Sequence, residues 1–416
     1  MSNTTLTASI IAAEAIRILE NNTVMGNLVY RGYEEEFDKK INGYTVGDSI
    51  TIRRPTDFTV RDGAIAAIQD AVEGSTTFTV NKQKGVDFKF TSSDLTLKIG
   101  DLSERIIRPA MIQLANQVDR DLLALYKDVW NWVGTPTTAG PLIDSFSDFA
   151  KGAERLDLSG APQSDRSAVL SPSDFWALLG SQTALYMQDV AKGAYRQGSL
   201  GMIGGVDTYM TQNIQTHTTG ARDNTTPVVK GSSNSTTWAS SRTTGTMSLL
   251  TVGLDASTTV KQGDVFTIST VFAVNPVTKA TLGYLQQFVV TADVTSDGTT
   301  TNTTTLTISP PIIASGAFQT VSGAPADGAT ITFVSSTASL SYSSNLMFHK
   351  NAFGLVMVPM VSPPGAVDVS RKSYKGYSVR VIPYYDGTND VSNWRLDVLY
   401  GVKTLDPRLA VRMVGT

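Results

Sequence analysis

The chain has 416 residues, a net charge of -3, no cysteine and two histidines, and only 17% of its side chains are charged. These figures exclude thiol catalysis, cysteine–zinc sites, disulfide staples and a histidine-rich metal centre, and the acidic balance gives nucleic acid no long-range attraction. At roughly 150 residues per domain the length implies two to three domains, and a hydrophobic share of 41% fits a folded, soluble chain rather than a disordered one.

Low charge is also the composition of buried interface cores, a first hint of subunit contact that a Thr-rich β domain would equally explain. The start, MSNTTLTASIIAAEAIRILE, lacks a basic region and a small-residue cleavage site, and no stretch reaches about 18 consecutive apolar residues. A soluble, intracellularly made protein without membrane contact is therefore expected.

In chain order, residues 4–20 place Leu6, Ile10, Ile11, Ala15, Ile16 and Ile18 at helical spacing, predicting an N-terminal amphipathic helix capped by Thr4 or Thr5. Between Gly43 and Thr91 the period becomes two. GDSITIRRP alternates Ile50 and Ile52 with polar residues, and TTFTVNKQKGVDFKF alternates through Phe78, Val80, Val86, Phe88 and Phe90. The pair predicts the two strands of a long arm, separated by about twenty residues, far more than a hairpin loop needs. A lone ribbon is marginal in water, so something else must cover it. Arg53 and Arg54 fall on its first strand and Lys82, Lys84 and Lys89 on its second. Such lysines can block edge pairing, or the five can form salt bridges with an acidic face of a neighbouring copy.

From Asp101, with Glu104 as capping-box partner, Ile107, Met111, Leu114, Val118, Leu122, Leu125, Val129 and Val133 step by three or four. Pro109 is tolerable as a kink or as the start of a second segment. The roughly 24 residues after it predict a rod of about 36 Å. Residues 141–214 alternate: a helix from Ser145 to Leu156, a strand at SAVLS, a helix opened by Ser171, Pro172 and Asp174, and a glycine-punctuated strand in GSLGMIGGVDTYM. Around residue 223 the composition turns to Thr, Ser, Gly, Asn and Val, with alternating runs such as GDVFTIST, QQFVVTADVT and TTTLTIS and no helical period up to residue 341. A β barrel or sandwich inserted as a unit is expected. LMFHKNAFGLVMVPM, SVRVIPYYD and WRLDVLYGVKTL then supply the returning strands of the surrounding fold.

Chemistry is sparse along this chain. No phosphate loop is present, and Gly198, Gly201, Gly204 and Gly205 read as turns. No G-x-S-x-G elbow accompanies either histidine; His349 reads as a packed or interface residue, and His217, among Thr and Gln, as part of a solvated loop. DGTND, from Asp386 to Asp390, could hold calcium but lacks the terminal bidentate Glu, and a hairpin turn is the simpler account. The N-x-[ST] matches at Asn3, Asn21, Asn224, Asn234 and Asn302 reflect a Thr-rich chain. No catalytic residue, metal ligand or cofactor site is assigned.

The order of these elements resembles the major capsid protein of tailed bacteriophages, the Hong Kong ninety-seven type. GDSITIRRP, FTVNKQKGVDFKFTSSDLTL, LANQVDRDLL, GMIGGVDTYMTQNI, HKNAFGLVMVP and YGVKTLDPRLAVRM resemble coat proteins of the P-twenty-two type, which carry an inserted β domain. The resemblance implies an α+β fold. Its parts would be an N-terminal arm (1–42), an extended arm (43–92), a peripheral domain with the long helix (93–140), an axial α/β domain (141–222), the inserted barrel-like domain (223–341) and returning strands (342–416). It implies a non-enzymatic shell subunit of the virion, assembled in the bacterial cytoplasm into the hexamers and pentamers of an icosahedral procapsid. Its expected partners are itself, a separate scaffolding protein, a portal protein and packaged double-stranded DNA bound without sequence specificity, with no membrane and no cofactor. Arm and rod would remain wet on a lone copy and be covered by sister molecules. The alternatives are a Thr-rich adhesive protein binding through residues 223–341 and a hydrolase using paired carboxylates.

Overall fold

Alanine and isoleucine at helical spacing build the first element, a helix Ala8–Asn22 with Ala8, Ile11, Ala12, Ala15, Ile16 and Leu19 buried along it. The computed structural model describes residues 8–34, 37, 40–41, 44–45, 47–54, 56–61, 63–65, 68–91, 106–136, 143–183, 200–222, 226–232, 234–255, 257–296, 303–335, 337–363, 365 and 369–414. Residues 101–105, with the expected capping box, lie outside the described residues. The chain divides into two compact units: Met1–Thr51, Thr77–Leu123 and Phe353–Lys403 form the first, and Ile52–Thr76, Ala124–Ala352 and Thr404–Thr416 the second.

In the first unit, helix Ala8–Asn22 packs on helix Arg108–Leu123 and on strands Ser370–Tyr374 and Tyr377–Asp386. Pro109 is the second residue of this α-helix and follows the π-helical residues Ile106 and Ile107. Met111, Leu114, Val118 and Leu122 are buried, as their spacing predicts. The expected wet rod is thus corrected: its apolar face is covered by the chain's own N-terminal helix. Asp119, also buried, joins the two elements by accepting the backbone amides of Val24 (2.7 Å) and Gly26 (3.0 Å). Behind the helices lies a five-stranded sheet. Strand Val391–Thr404 pairs on one side with Tyr377–Asp386 and on the other with Lys82–Thr91, running Val391↔Thr91 to Tyr400↔Lys82. Residues Asp386–Asp390 close the hairpin between its long strands, with Asp386 accepting Thr388 N at 3.0 Å.

The second unit opens where the long helix stops. After Leu123 the backbone tightens into a 3-10 turn, Ala124–Asp128, and becomes the strand Trp132–Val133. The rod is therefore 16 residues, roughly 24 Å, instead of the longer one predicted. The reason is long-range: Trp132 and Val133 pair in parallel with Arg412 and Met413, and the Asn131 amide donates to the carbonyls of Arg408 and Ala410. Val129 and Val133 keep helical spacing without helical backbone, and Leu125 falls in the 3-10 turn. The strand edges a six-stranded sheet continued by Ala410–Met413, Asn345–His349, Arg166–Leu170, Val206–Met210 and Met202–Ile203. Helices Phe146–Leu158 and Pro172–Thr183 bury Phe149, Leu156, Phe175 and Leu178 against Leu170, Met347 and Met413. Ser145 caps the first helix by accepting Asp148 N at 3.2 Å, and Ser171 accepts Asp174 N at 3.2 Å in the second.

Residues 226–335 form a second six-stranded sheet in the order 228–229, 247–252, 304–309, 281–290, 265–274, 331–333. The first and last strands meet through the Val228↔Thr330 bridge, with Val229 N bonded to Ala329 O (2.9 Å) and Ile331 N to Pro227 O (2.8 Å), so the sheet closes into a barrel. Closure leaves few free edges, and Leu249, Phe266, Ile268, Phe288, Val290, Leu306 and Ile308 fill the interior. One helical turn, Trp238–Ser241, interrupts the β pattern, a correction to the reading of this segment as free of helix. The barrel shares a unit with the α/β layers through a core of Trp130, Trp132, Val265, Val289, Leu340, Tyr342 and Val414.

Candidate assembly surface

The arm begins as the strand Ser49–Arg54, paired with Gly74–Thr79. The alternating run after residue 74 is two strands, not one. It breaks at Val80, whose amide donates to Asp48 O (2.8 Å), and resumes as Lys82–Thr91 in the sheet of the first unit. Ten register pairs with Val391–Thr404 there outweigh extension of a thin ribbon.

The five basic residues are therefore not gathered on one ribbon. Arg53 is exposed and faces Glu73 at 3.4 Å. Arg54, next to it, is half-buried: Nη2 donates to Leu405 O (3.2 Å), Nε is buried without a hydrogen-bond partner, and burial pushes its pKa down. Lys82 sits in the sheet and pairs with Asp121 at 3.0 Å, a carboxylate that also accepts Tyr400 OH at 2.8 Å. Lys84 and Lys89 are exposed on the same strand, on opposite faces.

Beyond the ribbon, residues 56–73 carry no regular secondary structure among those described. Val60, Ile65 and Ile68 are 97%, 88% and 95% exposed, and Phe58 is 56% exposed. The loop is shaped locally: Thr59 N donates to Gln69 Oε1 (2.9 Å) and Gln69 Nε2 returns a bond to Thr59 O (2.7 Å). Its base rests on the barrel. Trp238 stacks on Phe318 with ring centroids 4.0 Å apart and donates Nε1 to Val72 O at 2.9 Å. Ser75 N bonds to Arg242 O (3.4 Å), and Lys279 approaches Asp57 at 4.0 Å. Gly74 is required at this crossing, since a Cβ would lie 2.8 Å from the Trp238 ring. None of these barrel residues stood out in the sequence. A single tryptophan in the polar run SSNSTTWASS was the only available signal.

A second polar cluster lies deep in the unit. His217, expected in a solvated loop, is 2% exposed between Tyr126 OH, 3.0 Å from Nδ1, and Asp264 Oδ1, 3.0 Å from Nε2. The correction has a clear cause: the strand Thr216–Thr218 pairs with Ser341–Ser343, and that pairing turns His217 inward. Burial pushes the His217 pKa down, against the hydrogen bond it makes to Asp264, leaving a neutral ring that donates to Asp264 and accepts from Tyr126. Burial alone would raise Asp264, but His217, Arg222 and the Lys261 amide hold its carboxyl below the usual range. Arg412 crosses the same seam, bonded to Gly263 O at 2.7 Å. This cluster joins barrel to body. His349 is buried at a strand end, its Nδ1 accepting Asn351 N at 3.2 Å.

Comparison with known proteins adds the following. The family model described as P22 coat protein, gene protein 5, matches residues 1–415. A curated major capsid protein from Acyrthosiphon pisum secondary endosymbiont phage 1 is 22% identical over 392 residues, 90% of each chain. The chain is also similar to a solved structure of Mycobacterium phage Che8, with 14% identity, TM-score 0.49 and coverage of 94% of this chain and 90% of that one. The capsid structure of Cyanophage P-SCSP1u gives 10% identity, TM-score 0.47 and coverage of 95% and 88%.

Proposed function

The chain belongs to the P22 coat protein family and is a phage major capsid protein, and from that premise we propose how it builds a shell. The exposed arm tip, Phe58 with Val60, Ile65 and Ile68, is the contact that lies over an adjacent subunit of an icosahedral shell. Four apolar side chains in one loop, uncovered by the described part of their own chain, support this reading most directly. The first unit corresponds to the N-terminal arm and peripheral domain, and the α/β sheet of the second to the axial domain. The exposed Arg53, Lys84 and Lys89 supply a salt-dependent part of the contact, whereas Arg54 and Lys82 serve their own chain. Many modest contacts per subunit, repeated around a closed shell, raise its stability steeply. A separate scaffolding protein, a portal and packaged double-stranded DNA complete the particle, which assembles in the host cytoplasm. The net charge of -3 suits an inner wall that does not trap the genome.

The test is co-expression with the scaffold, read by electron microscopy. Ile65→Asp with Ile68→Asp leaves the subunit folded, since substitutions at exposed positions usually change stability by only about 0.5 kcal/mol each, while closed particles disappear. Particles of parental size and yield from that variant would reject the arm tip as a contact.

A further inference from the structure

We infer that the inserted barrel is the brace of the arm: Trp238 and the Arg242 backbone hold its returning leg and Lys279 its outgoing leg. A free subunit then carries the arm already aimed, before any neighbour arrives. The inference rests on the arm being an assembly contact.

The geometry is specific at the returning leg. Val72 lies in a stretch with no strand or helix, and Trp238 Nε1 reaches its carbonyl at 2.9 Å. The indole is held flat against Phe318, with ring planes within 6°. Its one-turn helix closes through Gly245 N to Ser241 O (2.7 Å), and Ser309 on the barrel wall donates its hydroxyl to Gly245 O (3.0 Å). The clamp is thus tied to a closed sheet rather than to another loop. Gly74, lacking a side chain, lets the arm backbone pass against that ring. The second support is weaker: Lys279 and Asp57 are 4.0 Å apart, and a half-exposed ion pair contributes little by itself. Functionally, an arm free to swing must be ordered when it docks, which costs binding free energy. An arm held beforehand avoids that cost.

The test uses the full-length, unassembled subunit. Hydrogen–deuterium exchange is followed by mass spectrometry in the parent, in Trp238→Ala and in Gly74→Ala, whose Cβ crowds the Trp238 ring and the Arg242 carbonyl while leaving the barrel's sequence unchanged. In both variants peptides covering residues 69–79 should exchange about five- to tenfold faster, the factor that one hydrogen bond and a stacked face imply. Barrel peptides covering 265–290 should be unchanged, and assembly with scaffold should slow. Parental exchange over 69–79 in both variants overturns the brace. Faster exchange with assembly as rapid as the parent's overturns its role in aiming the arm. If the parent itself forms no shell, the assembly reading fails while the exchange data still decide whether the brace exists.

Discussion

Asp264 accepts His217 Nε2 (3.0 Å), the Arg222 guanidinium, Gly220 N (3.2 Å) and Lys261 N (2.9 Å) and is almost fully buried. Asp264→Ala strands all four donors, and thermal or denaturant unfolding should report a loss of about 3–5 kcal/mol. Its lowered pKa means that its contribution is present above the unfolded value of 3.8 and fades only as pH falls through the lower folded value. His217 acts over a higher range. Its folded pKa lies below 6.5, so the unfolded chain takes up a proton first and stability falls as pH drops below about 6.5. Asp119 opposes it: burial, against hydrogen bonds from the amides of Val24, Gly26 and Met25, raises its pKa from 3.8 to about 6. Its stabilising contribution is full below 3.8 and lost as pH rises through about 6. Asp119→Asn removes that term, so unfolding measured from pH 4 to 7 should show stability rising more steeply with pH than in the parent. An unchanged slope would show that Asp119 does not titrate there.

At the level of elements, local chemistry sets helix starts. Ser145→Ala should cost about 1 kcal/mol, because Asp148 N loses its acceptor at the mouth of helix Phe146–Leu158. The two arginines of the arm should separate cleanly. Arg53→Ala removes only an exposed pair and should change stability by less than about 1 kcal/mol. It should nevertheless weaken assembly and flatten its salt dependence. Arg54→Ala removes a half-buried stem and its bond to Leu405 O, so its effect should appear already in the melting temperature of the subunit. Equal effects of both on the free subunit would contradict this division.

For the molecule as a whole, the barrel is continuous with the body it was inserted into. Gly263 O receives Arg412 Nη2, Gln287 Oε1 accepts Trp132 N at 2.7 Å, and Val265 and Val289 pack with Trp130, Trp132 and Tyr342. Excising residues 226–335 would expose a fully buried arginine and two tryptophans. The shortened chain should therefore be insoluble, measured as soluble yield after expression, rather than a stable subunit merely lacking an appendage. A soluble, assembly-competent deletion would show that the barrel is dispensable to its host unit.

The sequence by itself determined what local physics controls: the N-terminal helix, the cap at Ser171, the Pro172 helix start, the Asp386–Asp390 hairpin and the alternating strands of the barrel. It also determined the family, through the order of several segments. Tertiary structure alone decided where the long helix ends, because Val129 and Val133 fit a helical period as well as an extended path against the core. Only pairing with Arg412 and Met413, nearly three hundred residues away, selects the second. It likewise split the second arm run, since the partner of Lys82–Thr91 is Val391–Thr404, and turned His217 inward, since its neighbours in the chain are polar while its neighbours in space are Tyr126, Asp264 and Tyr342. Periodicity records which side chains are buried; it does not record which distant strand does the burying.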